Sequence, residues 1–425
     1  MKINFDKASF KDFEDIPGLD FREWARLFQQ YINNWESRGH WNYRQESLNG
    51  CQPEVEMDLP GNQLKHFVAL VFNDYLGFTQ HPKVKAAAIA AIEKYGVGSA
   101  ASPAIGGHFS YHRQIEEKIA KFFNRGSAIL FTTGYTANTA TIQALLKKDD
   151  LAILDMNVHA SMYEGCQLCK MKVFPHNNME KLERILQETQ CQYRTRMIII
   201  DGIYSQPADI APLDQIVKLA KNYGAYLAMD DAHGVGVVGE TGRGVIELYN
   251  LYKEVDIITG TFSKTFGHLG GYVVANAEVV NFLKFQARQH IFSVTATPAS
   301  ACILKSIDLI DEEPFWRDKL WGNITYLKSG LKTLGLDIGN TQSAIIPVVT
   351  GDPTLNAEAC KLLLEAGVYT NQIGYPAVPR RNARIRMSIM ATHTKEHMDR
   401  VLNAWEWVDQ KLHISKGYGN QKEVN

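Results

Sequence analysis

From about residue 63 to about residue 308 the chain alternates short apolar runs with stretches of helical period. Ala128-Ile129-Leu130-Phe131, Leu151 to Asp155, Met197 to Asp201, Tyr226 to Met229 and Val255 to Ile258 read as strands. Near-continuous apolar runs of this length, bounded by turn residues, fit strands covered on both faces. Leu213 to Lys221, between the third and fourth runs, carries its apolar residues at helical spacing. Such alternation predicts an α/β fold with a mostly parallel sheet under helices, in a large domain over 63–308. Residues 309–425 read as a small α+β domain, with strands at Ala344 to Val349 and Arg384 to Ile389 between amphipathic helices. Residues 1–62 form an N-terminal extension in which Phe21, Trp24, Leu27, Phe28, Tyr31, Ile32 and Trp35 make one stripe of an amphipathic helix. That stripe is expected to pack on the body of a dimer. A membrane-surface or acyl-carrier contact is the alternative, although the polar face is mixed in charge rather than Lys-rich. The polar tail from Lys416 to Asn425 reads as disordered.

In an open parallel sheet, ligands sit outside the carboxyl ends of the strands. The chemistry-bearing residues fall there. Past Val255 to Gly260 comes Thr261-Phe262-Ser263-Lys264-Thr265-Phe266-Gly267-His268-Leu269-Gly270-Gly271. A lysine among hydroxyls suits an amine that must reach a carbonyl, while the hydroxyls hold a phosphate and the glycines let backbone come close. A Schiff-base lysine for pyridoxal phosphate (PLP) has these needs. Alone, a lysine near a strand end is more often solvated; the support lies upstream. Tyr226 to Met229 leads into Asp230-Asp231-Ala232-His233. A buried carboxylate keeps a pyridine nitrogen protonated, and a nearby histidine can donate to the ring's phenolic oxygen. The competing reading, a helix cap or turn, is weak beside Lys264. Thr132-Thr133-Gly134-Tyr135-Thr136-Ala137-Asn138 opens a helix after a strand and offers free N–H groups to a phosphate. His159 follows the Leu151 to Asp155 strand and can stack on a flat ring, though a lone histidine is more often structural.

These motifs, in this order, resemble the α-oxoamine synthase family of fold-type I PLP enzymes. The match runs from Asn73-Asp74-Tyr75-Leu76-Gly77 to Ala391-Thr392-His393-Thr394 and includes Ala383-Arg384-Ile385-Arg386-Met387-Ser388. The resemblance implies a PLP-dependent acyltransferase that joins an amino acid to an acyl thioester, in most members with loss of CO2. It implies that Lys264 holds PLP and moves the α-proton, Asp230 pairs the pyridine nitrogen, His159 stacks on the ring and His233 contacts its phenolic oxygen. Gly134, Tyr135, Thr261 and Ser263 would bind the phosphate, and Ser205 joins the cofactor contacts. Arg386 would hold the amino-acid carboxylate, since a guanidinium pairs with that group in two places. Asn73, Tyr75 and His108 would lie near the substrate. Thr295 matches a segment that reaches the partner subunit's phosphate, which implies a homodimer with shared sites.

Within the family, four segments lean toward the serine palmitoyltransferases: Phe131 to Tyr135, His159 to Gln167, Asp209 to Leu213, and Gly260 to Lys264. That implies L-serine and palmitoyl-CoA as substrates and sphingolipid synthesis as the setting. Pro103-Ala104-Ile105-Gly106-Gly107-His108 departs from that pattern, as does Thr265 to Leu269. Cysteate, glycine, alanine and 2-aminobutyrate therefore stay open as amino acids, and CoA or a carrier protein as the acyl donor. A PLP aminotransferase would share the fold and the lysine without using a thioester. A non-catalytic protein on the same fold would be expected to lack one of Lys264, Asp230 and Arg386.

Composition narrows the classes. The 425 residues suffice for a large core and more than one domain. Lys plus Arg is 45 against 46 for Asp plus Glu, so no basic excess points to nucleic acid. Six cysteines in this length make no disulfide scaffold, and Cys166-x-x-Cys169 lacks a second pair at zinc spacing, so it reads as structural and no metal is expected. No secretory signal is visible and no run approaches the ~18 apolar residues of a membrane span, which suits the cytoplasm, with peripheral membrane contact as the alternative.

Overall fold

In a computed structural model, which describes residues 3–59 and 61–419, the apolar runs pair into a seven-stranded sheet. Its strands in chain order are β1 (Ser127–Phe131), β2 (Leu151–Asp155), β3 (Lys170–Phe174), β4 (Arg196–Asp201), β5 (Tyr226–Asp230), β6 (Ile257–Thr261) and β7 (Gly271–Ala275). The spatial order is β1-β7-β6-β5-β4-β2-β3. β7 runs antiparallel to both neighbours and the remaining pairs are parallel. This is the mostly parallel α/β sheet that the alternation predicts. All residues of β2 and β4 are buried. β3, on the edge, exposes Lys170, Met171 and Val173, and its lysines blunt the open edge.

β6 begins two residues later than the apolar run suggests and continues to Thr261. The Asp256 carboxylate accepts the Leu227 N–H at 2.8 Å instead of letting that residue extend the ladder. The parallel register sets Asp201 opposite Asp230, and Asp230 opposite Thr259. Three carboxylates, Asp155, Asp201 and Asp230, therefore close three strands at one edge of the sheet.

The chain divides into two compact units. The sheet belongs to the larger, Asn73–Ser205 with Asp209–Leu320. The smaller unit joins the N-terminal segment through Phe72, Gln206–Ala208 and the segment from Trp321 onward. It holds two small sheets. Arg384–Ser388 lies between Ile345–Val349 and Asn371–Ile373, antiparallel to both. His66–Ala69 pairs with Glu54–Glu56 and, in parallel, with Val368–Tyr369. This is the α+β pattern expected of the C-terminal part, now including N-terminal residues.

The N-terminal stripe forms the helix Phe21–Glu36. Asp20 caps it, accepting the Arg22 and Glu23 N–H groups at 2.9 Å each. Tyr31 and Trp35 bury against Phe13 and Ala357, within the same unit. The chain thus covers its own stripe. Phe21, the first residue of the helix, is 73% exposed although it belongs to the stripe.

The tail expected to be disordered from Lys416 is helical where it is described. Ile414–Gly419 is helical, with Ile414 buried and Ser415 donating its N–H and hydroxyl to Asp409 at 2.8 and 2.7 Å. The rest of that tail, 420–425, lies outside the described residues. No helix among the described residues is long and apolar enough to cross a membrane.

Candidate active site

A small cavity at the carboxyl edge of the sheet is walled by Lys264, His233, Asp230, His159, Asp201 and Ile203. The first four are residues singled out from sequence, brought together because Asp230 ends its strand and the others follow theirs by a few positions.

Lys264 lies in the turn after β6, with its Nζ 2.9 Å from His233 Nε2. The other His233 nitrogen, Nδ1, is 2.5 Å from the Tyr75 hydroxyl. Tyr75 is fully buried. A residue read as lining the substrate mouth thus stands behind His233, and Asn73 supports it through a 3.3 Å contact with its hydroxyl. The tyrosine orients the imidazole that faces the lysine.

Asp230 ends β5 and is 8% exposed. Its Oδ1 accepts the Ala232 N–H at 2.9 Å and its Oδ2 accepts the Asn138 amide at 2.7 Å. Asn138 also donates to Ser161 Oγ at 2.9 Å, and Ser161 Oγ lies 2.8 Å from His159 Nδ1. One chain of hydrogen bonds therefore fixes both the carboxylate and the imidazole. Burial holds the His159 imidazole below its ordinary pKa, with Asp230 acting against that shift. A neutral ring is the form suited to stacking on a flat cation. Asp201 accepts the His159 N–H at 3.2 Å. Burial and the nearby Asp230 charge push its carboxyl well above the usual range.

The phosphate-sized feature is built by close approach. Thr133 caps the helix Gly134–Leu145 by accepting the Thr136 N–H at 3.0 Å. A side chain at Gly134 would stand 2.8 Å from Thr261 Cβ. Glycine there lets the helix start meet the end of β6. Thr261 Oγ1 and Ser263 Oγ lie 2.7 Å apart. Free N–H groups at the start of a full-length helix and a hydroxyl pair from the next loop make an anion cradle. The residues present fit PLP: a cradle for phosphate, a buried carboxylate for the ring nitrogen, and a lysine amine beside a histidine.

Other expected site residues are not among those lining this cavity. Ser205 follows β4 by four positions. Thr295 is buried, and its hydroxyl has no hydrogen-bond partner. His108 stacks on His112 with centroids 5.6 Å apart, in a loop closed by the Gly107 N–H on Ser102 O. Arg386 belongs to the smaller unit, at the centre of its antiparallel sheet, 6% exposed, with Nη1 donating to Ser388 Oγ at 3.1 Å. Sequence reasoning missed Asn138, Ser161 and Asp201 as parts of the site. Asn138 lies one helical turn past Gly134, and that spacing was the available signal. Among the described residues no His, Cys, Asp or Glu group could hold a metal ion.

The chain matches the aminotransferase class I and II family over residues 65–404. An 8-amino-7-oxononanoate synthase of Thermoanaerobacter pseudethanolicus is 42% identical over 353 residues, covering 82% of this chain and 89% of that protein. An 8-amino-7-oxononanoate synthase of Bacillus subtilis is 38% identical over 350 residues, covering 82% and 89%. Among solved structures, a serine palmitoyltransferase from S. paucimobilis with bound PLP and myriocin has a TM-score of 0.88 at 31% identity, covering 93% of this chain and 100% of that one.

Proposed function

We propose a substrate pair for a chain that belongs to the aminotransferase class I and II family and, within it, to the PLP-dependent α-oxoamine synthases. The pair is alanine and a seven-carbon acyl thioester with a carboxylate at its far end. The observation that carries this reading is the 42% identity to an 8-amino-7-oxononanoate synthase, against 31% to the serine palmitoyltransferase. The product's name supplies the chemistry. Its amino-bearing carbon and terminal methyl are alanine without the carboxylate, and its remaining carbons are the acyl chain.

The second reading is serine with palmitoyl-CoA. It is supported by likeness to serine palmitoyltransferase over 93% of the chain, against 82–88% for the 8-amino-7-oxononanoate synthases.

Under either reading the residues divide the work alike. Bound PLP supplies an electron sink for the amino acid's α-carbon. Lys264 anchors the cofactor and carries the proton from that carbon. His233, aligned by Tyr75, keeps Lys264 Nζ within hydrogen-bond reach. Asp230, fixed by Asn138, supplies the negative charge for the ring nitrogen. His159 takes one face of the ring. The Gly134 and Tyr135 N–H groups with Thr261 and Ser263 hold the phosphate, and Arg386 holds the amino-acid carboxylate. Thr295, in the segment that the family resemblance assigns to the partner subunit's phosphate, keeps the reading of a homodimer with shared sites. Val97, Ile105 and Phe292, each about four-fifths exposed, support it.

The test is thiol release by purified, PLP-loaded protein with alanine, serine, glycine or cysteate, each against pimeloyl and palmitoyl thioesters. Release with alanine and the pimeloyl thioester is the expected result. Release with serine and palmitoyl-CoA, and none with alanine, would replace this pair with the second reading.

A further inference from the structure

His176 stands outside the cavity and belongs to no motif used above. It follows β3 by two positions, and both of its ring nitrogens face carboxylates. Nδ1 is 3.0 Å from Asp155 Oδ1, and Nε2 is 2.9 Å from Asp209 Oδ2. A neutral imidazole has one N–H to donate; acceptors at both nitrogens call for the doubly protonated ring. Asp155 is fully buried, and the His176 side chain is 20% exposed. Tyr204 packs edge-on against the imidazole with centroids 4.5 Å apart. Asp201 is the further charged group beside this cluster, acting on Tyr204 together with Asp155 and Asp209.

The Asp155 carboxylate and the Asp209 backbone each hold a loop that reaches the cavity. Asp155 Oδ1 accepts the Asn157 N–H at 2.8 Å, shaping the turn that ends in His159. Its Oδ2 accepts the Asn177 N–H at 2.8 Å. Asp209 accepts the Tyr204 N–H on its backbone oxygen at 3.1 Å, and Ile203 bridges to Ile210, closing the loop that carries Ile203.

We propose that His176 is a positioning residue: as an imidazolium between Asp155 and Asp209, it locks the His159 turn and the Ile203 loop into the geometry that grips PLP. Removing the cation leaves a buried carboxylate without its counter-charge, and the His159 turn must then shift or Asp155 must take a proton. The two carboxylates raise the imidazole to about 9 against the effect of burial. A raised histidine contributes while it is protonated and loses that contribution as pH climbs through its folded value. The effect is therefore complete below about pH 6.5, the ordinary histidine value, still large at neutral pH, and gone above about pH 9.

The inference rests on His159 contacting the cofactor, so three variants are compared with the wild-type holoenzyme: His176→Gln, the charge-balanced pair His176→Gln with Asp209→Asn, and His159→Ala. The readouts are PLP affinity by equilibrium dialysis, visible circular dichroism of bound PLP, and the melting temperature of the PLP-free protein. His176→Gln should weaken PLP binding about ten- to a hundred-fold at neutral pH, as losses of outer supporting partners do. The gap from wild type should close above pH 9, and the balanced pair, which restores the net charge but leaves Asp155 without a cation, should recover part of the affinity. A lowered melting temperature with unchanged PLP affinity and dichroism would overturn the proposal, leaving a merely structural histidine. So would a gap that does not depend on pH. If His159→Ala itself leaves PLP binding intact, the reading of the site fails before that of His176.

Discussion

The carboxyl edge of the large sheet and the N-terminal aromatic segment are both buried clusters, built on opposite principles. At the sheet edge Asp155, Asp201, Asp230 and Asp231 are buried within a short stretch of one surface. Burial, joined by the nearby Asp230 charge, pushes the Asp231 carboxyl up to about 7 against the hydrogen bonds it accepts from backbone N–H groups. Charge kept out of water opposes folding unless it is paired or hydrogen-bonded, so a fold that concentrates it does so for chemistry. In the N-terminal segment Phe13, Tyr31 and Trp35 meet as rings, with Tyr31 and Phe13 centroids 5.0 Å apart. That cluster gains from burial and contains no charge to manage. Substitutions at the edge should therefore remove function with little loss of fold, and those in the aromatic cluster the reverse.

The largest expected effect is at Lys264. Lys264→Ala should abolish turnover while the protein stays folded. Borohydride reduction followed by mass spectrometry should find the cofactor attached to the Lys264 peptide in wild type and to no peptide in the variant. Next is Asp230→Asn, expected to lower kcat by about 10²–10³-fold, the range for losing one placed electrostatic partner. The melting temperature of the PLP-free variant should not drop, because a buried charge facing Asp201 has gone. A kcat within a few-fold of wild type would erase the contrast between the regions.

On the other side, Trp35→Ala should cost about 3–5 kcal/mol in denaturant unfolding, as large-to-small changes of a buried aromatic do. PLP affinity should stay at the wild-type value. Smallest is Phe21→Ala on the same helix, expected within about 0.5 kcal/mol because that ring is mostly in solvent. A Phe21 effect as large as that of Trp35 would show that the first turn of the helix is covered as well.

Five strands of the large sheet, β1, β2, β4, β5 and β6, were legible because each contains a continuous apolar run, and Lys264, Asp230, His233 and His159 because each follows such a run. β7 was not read as a strand, and neither was β3, whose Lys170 and Lys172 interrupt the apolar pattern. Period and strand ends are local signals. What escaped is long-range. Tyr75 and His233 pair across 158 positions, and Asn138 and Asp230 across 92. Neither pairing leaves a trace in spacing. The N-terminal stripe was visible as a stripe, but its cover, Ala357 with the rings around it, was not. The grouping of residues before Phe72 with those after Trp321 is likewise set by contacts distant in sequence. Amino-acid choice was least legible of all, since the motifs that mark the family report on the cofactor they share.

The most direct test of the central claim, a carbon–carbon bond-forming synthase built on this carboxyl edge, is the stoichiometry of thiol and CO2 released by the PLP-loaded protein from a carboxyl-labelled amino acid and an acyl thioester. One thiol per CO2, both lost in Lys264→Ala, is the expected result. Formation of a keto acid with no thiol released would contradict it and leave a transaminase on the same fold.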